Sequence, residues 1–406
     1  MKVLYFVGEF PKLSESFILN ELYELQKRGH EVSVFSTTRP SEEVAHEEVT
    51  ELNLSVHYAN KPSLSSLPNL FSRNVLNSTV LQQATFIDSP FYHANCLHLG
   101  KQLIDAVKEE KGVNLIHAHF AEPNRLAATY AADYFDIPST VTAHAAEIFS
   151  DPNIRRLQRV CSRFSHVIVP SEYNKQYLHE KIGANSKMSV VPATTDVGKF
   201  EPSKECVSGR LLTVARLVEK KGYEYAIDAV SKLVNQGYDV EYHIIGTGER
   251  ENVLHERVHD RGVEDYIKFL GHVSDKRLQS ELHEAELFVL PCVIAADGDR
   301  DVAPVALKEA MATQTACVST STSAIPELIT DGHDGILVEP NDSKAVANAV
   351  ASLLDDPSRR DKIAANGRKT VEEKFDISQT VDKLLNVFQS CIESHDSRRT
   401  TVVGGD

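Results

Sequence analysis

Val3-Leu-Tyr-Phe-Val7 opens the chain. It is followed by Gly8-Glu-Phe-Pro-Lys-Leu-Ser-Glu-Ser16, by Ile18, Leu22 and Leu25 at helical spacing, by Gly29, and by the run Glu31–Ser36. The first five residues form a short continuous apolar run, the pattern of a parallel strand covered on both faces. Serines in the following loop suit a helix start, and Gly29 suits its end. Strand, helix and strand in that order define a Rossmann-like unit. Gly8 stands alone, without the three-glycine dinucleotide fingerprint, so a nicotinamide enzyme is disfavoured.

The same alternation continues outward from this opening. Val113–Ile116, Pro138–Thr142 and His166–Val169 read as further strands of a first domain, residues 1–192. Residues 193–209 carry proline, glycine and small polar residues with little apolar periodicity and read as a linker. Strands then recur at Arg210–Val214, Val240–Ile245, Ile267–Leu270, Leu287–Leu290, Thr315–Ser319 and Gly335–Val338, giving a second doubly wound domain over 210–376. A C-terminal helix is expected over 377–392, and the polar residues 393–406 read as a disordered tail.

At 406 residues the chain is long enough for two domains with full cores. Hydrophobic residues make up 42% and charged residues 25%, the balance of an ordinary globular protein, and no apolar run reaches membrane-spanning length. A formal charge of −15 without a basic stripe argues against a nucleic-acid partner. The six cysteines (96, 161, 206, 292, 317 and 391) have no paired spacing, so buried reduced thiols are expected rather than disulfides or a zinc ribbon. Met1 leads directly into the first strand without a signal-peptide pattern. The expected location is therefore cytoplasmic, with the inner face of a membrane left open.

From Pro62 to Gly100 the only charges are Arg73 and Asp88, while Leu64, Leu67, Leu70, Phe71, Val75 and Leu76 accumulate. Either helices of the first domain or an acceptor- or membrane-docking insert fits this composition. A single cation leaves an interfacial helix without its usual basic face, which favours the first reading.

Four groups of residues carry candidate chemistry. In Asp301-Val-Ala-Pro-Val-Ala-Leu-Lys-Glu309 two acids lie eight positions apart. Pro304 suits the first turn of a helix running to about Thr313. Asp301 then sits at the helix entrance and Glu309 on the helix. First-turn N–H groups between them attract phosphate, and flanking carboxylates accept hydrogen bonds from hydroxyls. Phosphate and hydroxyls together describe a nucleotide sugar. Arg216 and Lys221, in the loop after the first strand of the second domain, suit a diphosphate. Gly246-x-Gly248 is a weaker glycine signal, equally a tight strand-to-helix turn. In the first domain His117 and His119 lie two apart without an evident third metal ligand and read as loop or cleft-wall histidines. His144 follows a strand end, where a ligand crevice opens, as either a substrate contact or a structural histidine.

The chain resembles a family 4 retaining glycosyltransferase of the GT-B architecture, two facing Rossmann-like domains with a C-terminal helix crossing back to the first. The matching stretches run nearly throughout. In the first domain they are Phe10-Pro-Lys-Leu-Ser-Glu-Ser-Phe17 with Gly29-His30, Ile116-His-Ala-His-Phe120, Thr142-Ala-His144, and Val191-Pro192 with Asp196. In the second they are Val214-Ala-Arg-Leu217 with Lys221-Gly222, Phe269-Leu-Gly-His272, the acid–acid segment, and Ile325-Pro-Glu327. The first-domain opening and Ala296-Asp-Gly-Asp299 resemble the branch that builds exopolysaccharide or colanic-acid-type chains.

The resemblance implies a metal-independent hexosyltransferase with no cofactor, its nucleotide-diphosphate sugar being a substrate and its acceptor a glycan or lipid-linked glycan. His144, Arg216, Lys221 and Asp301 form the implied catalytic set. Arg216 and Lys221 would hold the donor diphosphate, and Glu309 the nucleotide ribose. Asp301 would contact hydroxyls of the transferred sugar, and Val302 and Ala303 would offer backbone N–H groups. His144 would reach the sugar from the opposite domain, and backbone around His272 and Val273 would hold the base. Peripheral membrane association and oligomeric state stay open. The sequence departs from the family pattern at Asp301 (usually glutamate), at Ala145 after His144, and at Ala193-Thr194-Thr195 before Asp196; these bear on sugar choice and acceptor geometry. Two other readings share the architecture: a non-catalytic GT-B partner subunit and a sugar-nucleotide epimerase.

Overall fold

Val3–Val7 are entirely buried at the centre of a parallel sheet, as a continuous apolar run demands. The computed structural model describes residues 1–12, 15–40, 52–61, 90–150, 153–183, 187–203 and 206–403. The apolar cluster Leu64, Leu67, Leu70, Phe71, Val75 and Leu76 lies outside the described residues. The chain forms two compact units: Met1–Pro170 with Asn174–Val191 and Val381–Asp406, and Pro192–Thr380 with Ser171–Tyr173.

Unit 1 contains β1 (Lys2–Glu9), β2 (Glu31–Thr38), β3 (Ser55–Tyr58), β4 (Leu115–His119), β5 (Ser139–Thr142), β6 (His166–Val169) and β7 (Met188–Val190). All pair in parallel, in the order β3-β2-β1-β4-β5-β6-β7. The helix Ser16–Lys27 buries Ile18, Leu22 and Leu25, and with them Glu21 and Glu24. His117 and His119 are not loop residues beyond the fourth strand but part of it, both fully buried.

Unit 2 contains β8 (Arg210–Val214), β9 (Glu241–Ile245), β10 (Ile267–Gly271), β11 (Leu287–Leu290), β12 (Ala316–Thr320) and β13 (Ile336–Val338), again all parallel, in the order β10-β9-β8-β11-β12-β13. Alternate residues feed two cores. Leu211, Leu287 and Val289 join one, while Leu212, Phe288 and Leu290 join the other. Each sheet has one point where strand order reverses, between β1 and β4 and between β8 and β11. Ligand crevices in open parallel sheets form at the carboxyl ends beside such a point.

Two segments differ from the sequence expectation. Residues 193–209 are not a free linker: Val197 and Phe200 are buried in a unit 2 core, and Arg368 donates to the Phe200 carbonyl at 2.7 Å. The polar residues 393–403 continue a helix, Ile377–Val403, rather than fraying into a tail, and 404–406 lie outside the described residues. His395 and Arg399 both meet Asp136, at 3.0 and 2.6 Å, which ties that helix onto unit 1. Five cysteines are buried and free, whereas Cys206 is exposed. Among the described residues no helix is long and apolar enough to cross a membrane.

Candidate functional site

The unit 2 site is built by close backbone approach after β8. A Cβ on Gly246 would lie 2.0 Å from the Ala215 carbonyl oxygen, and one on Gly248 would lie 2.5 Å from that of Leu217. The N–H groups of Ala215 and Leu217 donate to Ile245 and Thr247 at 3.0 and 2.9 Å. Gly246-x-Gly248 is thus a tight turn that seats the loop bearing Arg216. The chain then makes the short 3₁₀ turn Glu219–Lys221 and passes Gly222 at φ +68°, where a Cβ would meet the Pro291 carbonyl at 1.9 Å. Val293 donates to the Lys220 carbonyl at 2.9 Å. Both lysines are therefore pinned to the chain leaving β11.

There they meet Asp301. Lys221 Nζ lies 2.5 Å from Asp301 Oδ2, and each side chain is only 13% exposed. Lys220 Nζ lies 3.6 Å from Asp301 Oδ1 and 3.0 Å from Asp299. The Cys292 thiol sits 3.5 Å from Asp301 Oδ2. Burial pushes the Asp301 pKa up, but Lys221 and Lys220 outweigh it and hold the carboxyl below its usual value. Burial likewise lowers the Lys221 pKa, and the Arg216 charge adds to this; the Asp301 charge outweighs both and raises it. Arg216 is itself exposed. The residue expected at the diphosphate and the residue expected at the sugar are thus partners in one largely buried ion pair.

Pro304 is the residue before the helix Val305–Ala312 rather than part of its first turn, and Thr313 ends the helix as expected. Glu309 is half-buried on that helix; Val302 is buried and Ala303 half-buried ahead of it. His272 is exposed and Val273 half-buried just past β10, whose last residue, Gly271, accepts from the Gly246 N–H at 2.9 Å. Arg216, Lys221, His272, Val273 and Asp301 to Ala303 therefore all follow carboxyl ends of strands, around the β8–β11 reversal.

Lys308, beside Glu309, is fully buried. Its Nζ donates to the Ala193 carbonyl at 2.8 Å and lies 5.0 Å from the Phe375 ring centroid. Burial lowers its pKa to about 7.

In unit 1, His144 lies just past β5, half-buried. Its Nε2 is 3.1 Å from His119 Nδ1, and its ring centroid is 4.9 and 4.5 Å from those of Phe17 and Phe120. Burial and the neighbouring His119 hold its pKa well below the usual histidine value. Glu147 Oε1 accepts from the N–H groups of His144 and Ala121, each at 2.7 Å. The fold also supplies the third group that spacing did not show beside His117 and His119: ligand-type atoms of Glu21 and both histidines lie within 4.8 Å of one another. Glu21 and Lys308 escape a reading by residue type because charged side chains on helices ordinarily face water. The available signal was position: Glu21 shares a helical face with Ile18, Leu22 and Leu25.

Two all-parallel sheets, with cationic and acidic loops at the strand-order reversal of unit 2, match the layout of GT-B glycosyltransferases. The chain belongs to glycosyltransferase family 4: a model described as Glycosyltransferase Family 4 matches residues 14–199, and one described as Glycosyl transferases group 1 matches 204–370. It is 27% identical to the amylovoran biosynthesis glycosyltransferase AmsK of Erwinia amylovora, over 96% of this chain and 99% of that one. It is also 27% identical to WcaL of Escherichia coli strain K12, named as a colanic acid biosynthesis glycosyltransferase, over 96% of this chain and all of that one. The crystal structure of Anabaena HepE in complex with UDP-glucose superposes with a TM-score of 0.74 at 19% identity, covering 96% of this chain and 100% of that one, a likeness of fold.

Proposed function

We propose that this chain moves a hexose-type sugar from a nucleoside-diphosphate sugar to a glycan or lipid-linked acceptor in exopolysaccharide assembly, with retention of anomeric configuration and without a required metal. The observation that carries this reading is the Lys221–Asp301 ion pair beside Arg216 at the strand-order reversal of unit 2. A paired lysine stores a cation where a diphosphate would lie, and its partner is a carboxylate suited to sugar hydroxyls. The two polysaccharide-biosynthesis relatives support the acceptor class. The fold likeness to a protein holding UDP-glucose supports the donor class.

Cleaving the bond from the anomeric carbon to the diphosphate builds negative charge on the leaving group and positive charge on the sugar. Arg216 and Lys221 stabilise the first, the role a metal ion fills elsewhere. Glu309 accepts from the ribose hydroxyls, Asp301 from the sugar, and backbone around His272 and Val273 holds the base. Val302 and Ala303 offer N–H groups, and His144 contacts the sugar. With no carboxylate assigned as a covalent nucleophile, front-face attack fits best, a leaving phosphate oxygen taking the acceptor proton.

The direct test is incubation with a panel of UDP-, GDP- and ADP-sugars while nucleotide release is followed by chromatography. Slow release from one donor, accelerated by an acceptor glycan, is expected. No release and no calorimetric binding with any donor would favour the non-catalytic subunit, and donor interconversion without an acceptor the epimerase. Asp301 also gives a specific prediction. Asp301→Glu keeps the charge for Lys221 and is expected to retain activity, with an altered preference among donors, whereas Asp301→Asn is expected to lose most of it. A dead Asp301→Glu beside an active Asp301→Asn removes the sugar-contact role.

A further inference from the structure

The His144 ring is held in place by packing and by the Glu147-clamped turn, so the placement of its proton is the variable left to set. Its Nε2 faces His119 Nδ1 at 3.1 Å. On the far side of the His119 ring, Nε2 lies 3.4 Å from Glu21 Oε2. The same oxygen accepts from the Tyr5 hydroxyl at 3.3 Å. Tyr5, Glu21 and His119 are all buried, and Tyr5 and His119 stack at 5.6 Å between centroids. His117 does not compete for these protons, because its two nitrogens engage the Thr140 and Thr142 hydroxyls at 2.8 and 3.2 Å.

An ionised carboxylate only accepts hydrogen bonds, while a neutral imidazole has one donor and one acceptor nitrogen. No aligned hydrogen bond joins His119 Nε2 to Glu21. A carboxylate oxygen 3.4 Å away nonetheless repels a lone pair on that nitrogen and attracts an N–H, so the Glu21 charge favours the His119 proton on Nε2 and leaves Nδ1 as an acceptor. The Nε2 of His144 must then donate, and its Nδ1 keeps the lone pair. We propose that Glu21 is a positioning residue which, acting through His119, fixes the His144 tautomer that presents Nδ1 as a hydrogen-bond acceptor to a hydroxyl of the transferred sugar. The sugar contact rests on the function proposed above; the proton order does not. A neutral acceptor orients a hydroxyl without adding positive charge near a sugar that becomes cationic in the transition state. Burial supports the neutral form of His144.

The test is a long-range proton–nitrogen correlation spectrum of the full-length protein labelled with ¹⁵N-histidine, His144 being assigned with a His144→Gln variant. The wild type is expected to show His144 with Nε2 protonated and Nδ1 bare. Glu21→Gln, whose amide can donate or accept, is expected to mix the two tautomers and to lower kcat by about 10–100-fold, the scale of lost outer-shell support at other sites. Affinity for UDP should be unchanged. Tyr5→Phe leaves the Glu21–His119 contact and is expected to leave the tautomer as in the wild type, which keeps the test open if Glu21→Gln fails to fold. A wild-type spectrum with His144 protonated on Nδ1 overturns the relay. So does one equivalent of tightly bound zinc, removable by chelator with a shift of the His119 signals, because Glu21 and His119 would then be ligands. The stated tautomer in a protein that turns over no donor would overturn the sugar contact and leave the proton order standing.

Discussion

Lys221→Ala is expected to lower the rate of sugar transfer by about a hundred- to a thousandfold, and Arg216→Ala by a similar factor. Preorganised groups that stabilise developing oxyanion charge are typically worth about 3–4 kcal/mol each. The two positions differ in what they cost the resting protein. Arg216 is exposed, so its loss should leave the melting temperature almost unchanged. Lys221 is largely buried against Asp301, but Lys220 lies 3.6 Å from the same carboxylate and keeps it paired. Lys221→Ala should therefore melt a few degrees lower yet stay folded. With both cations on one diphosphate, as proposed, the double variant should lose less than the product of the single losses. Nucleotide release under single-turnover conditions, with circular dichroism melts alongside, checks each statement. Wild-type turnover in either single variant removes that residue from the clamp.

Replacing Lys308 should make stability depend differently on pH. Its pKa falls from 10.5 when unfolded to about 7 when folded. Between those values the unfolded chain holds a proton that the folded one releases, so this group makes stability rise with pH from about 7 to 10.5. The contribution is present above 10.5 and lost as pH falls through 7. A drop of that size corresponds to about 5 kcal/mol. Lys308→Met removes the titrating group but leaves the Ala193 carbonyl without its donor, at a cost of about 1–3 kcal/mol. The variant is therefore expected to be more stable than the wild type by a few kcal/mol at pH 6.5. That advantage should shrink steadily and reverse between about pH 8 and 10. Urea midpoints across this range decide it; a difference between the two proteins that does not move with pH would show that Lys308 is not a buried, neutralised lysine.

The long apolar runs were legible because a strand covered on both faces needs no polar alternation. The central strands of both sheets follow from them. Ser55–Tyr58 and Met188–Val190 escaped because they are short, half-buried edge strands with mixed composition. Residues 193–209 read as a linker because prolines and small polar residues outnumber apolar ones. Two side chains, Val197 and Phe200, are nonetheless enough to anchor the segment in a core. At the site, residue types were legible and pairings were not. Arg216, Lys221 and Asp301 could each be nominated from position and chemistry. That Lys221 rests on Asp301 depends on a turn made possible by Gly222 lying against Pro291, a contact 69 positions apart along the chain. Glu21 and Lys308 were hidden because their environment, not their type, gives them meaning.

If the Lys221–Asp301 pair forms the donor site as proposed, donor binding is expected to exchange the partner of Lys221. A crystal structure of the protein with UDP-glucose, or with whichever nucleotide sugar it releases, tests this most directly. The expected result is Lys221 Nζ and Arg216 on the diphosphate oxygens and Asp301 turned to a sugar hydroxyl, with the 2.5 Å Lys221–Asp301 contact opened. A nucleotide bound elsewhere, with that contact intact, would contradict it.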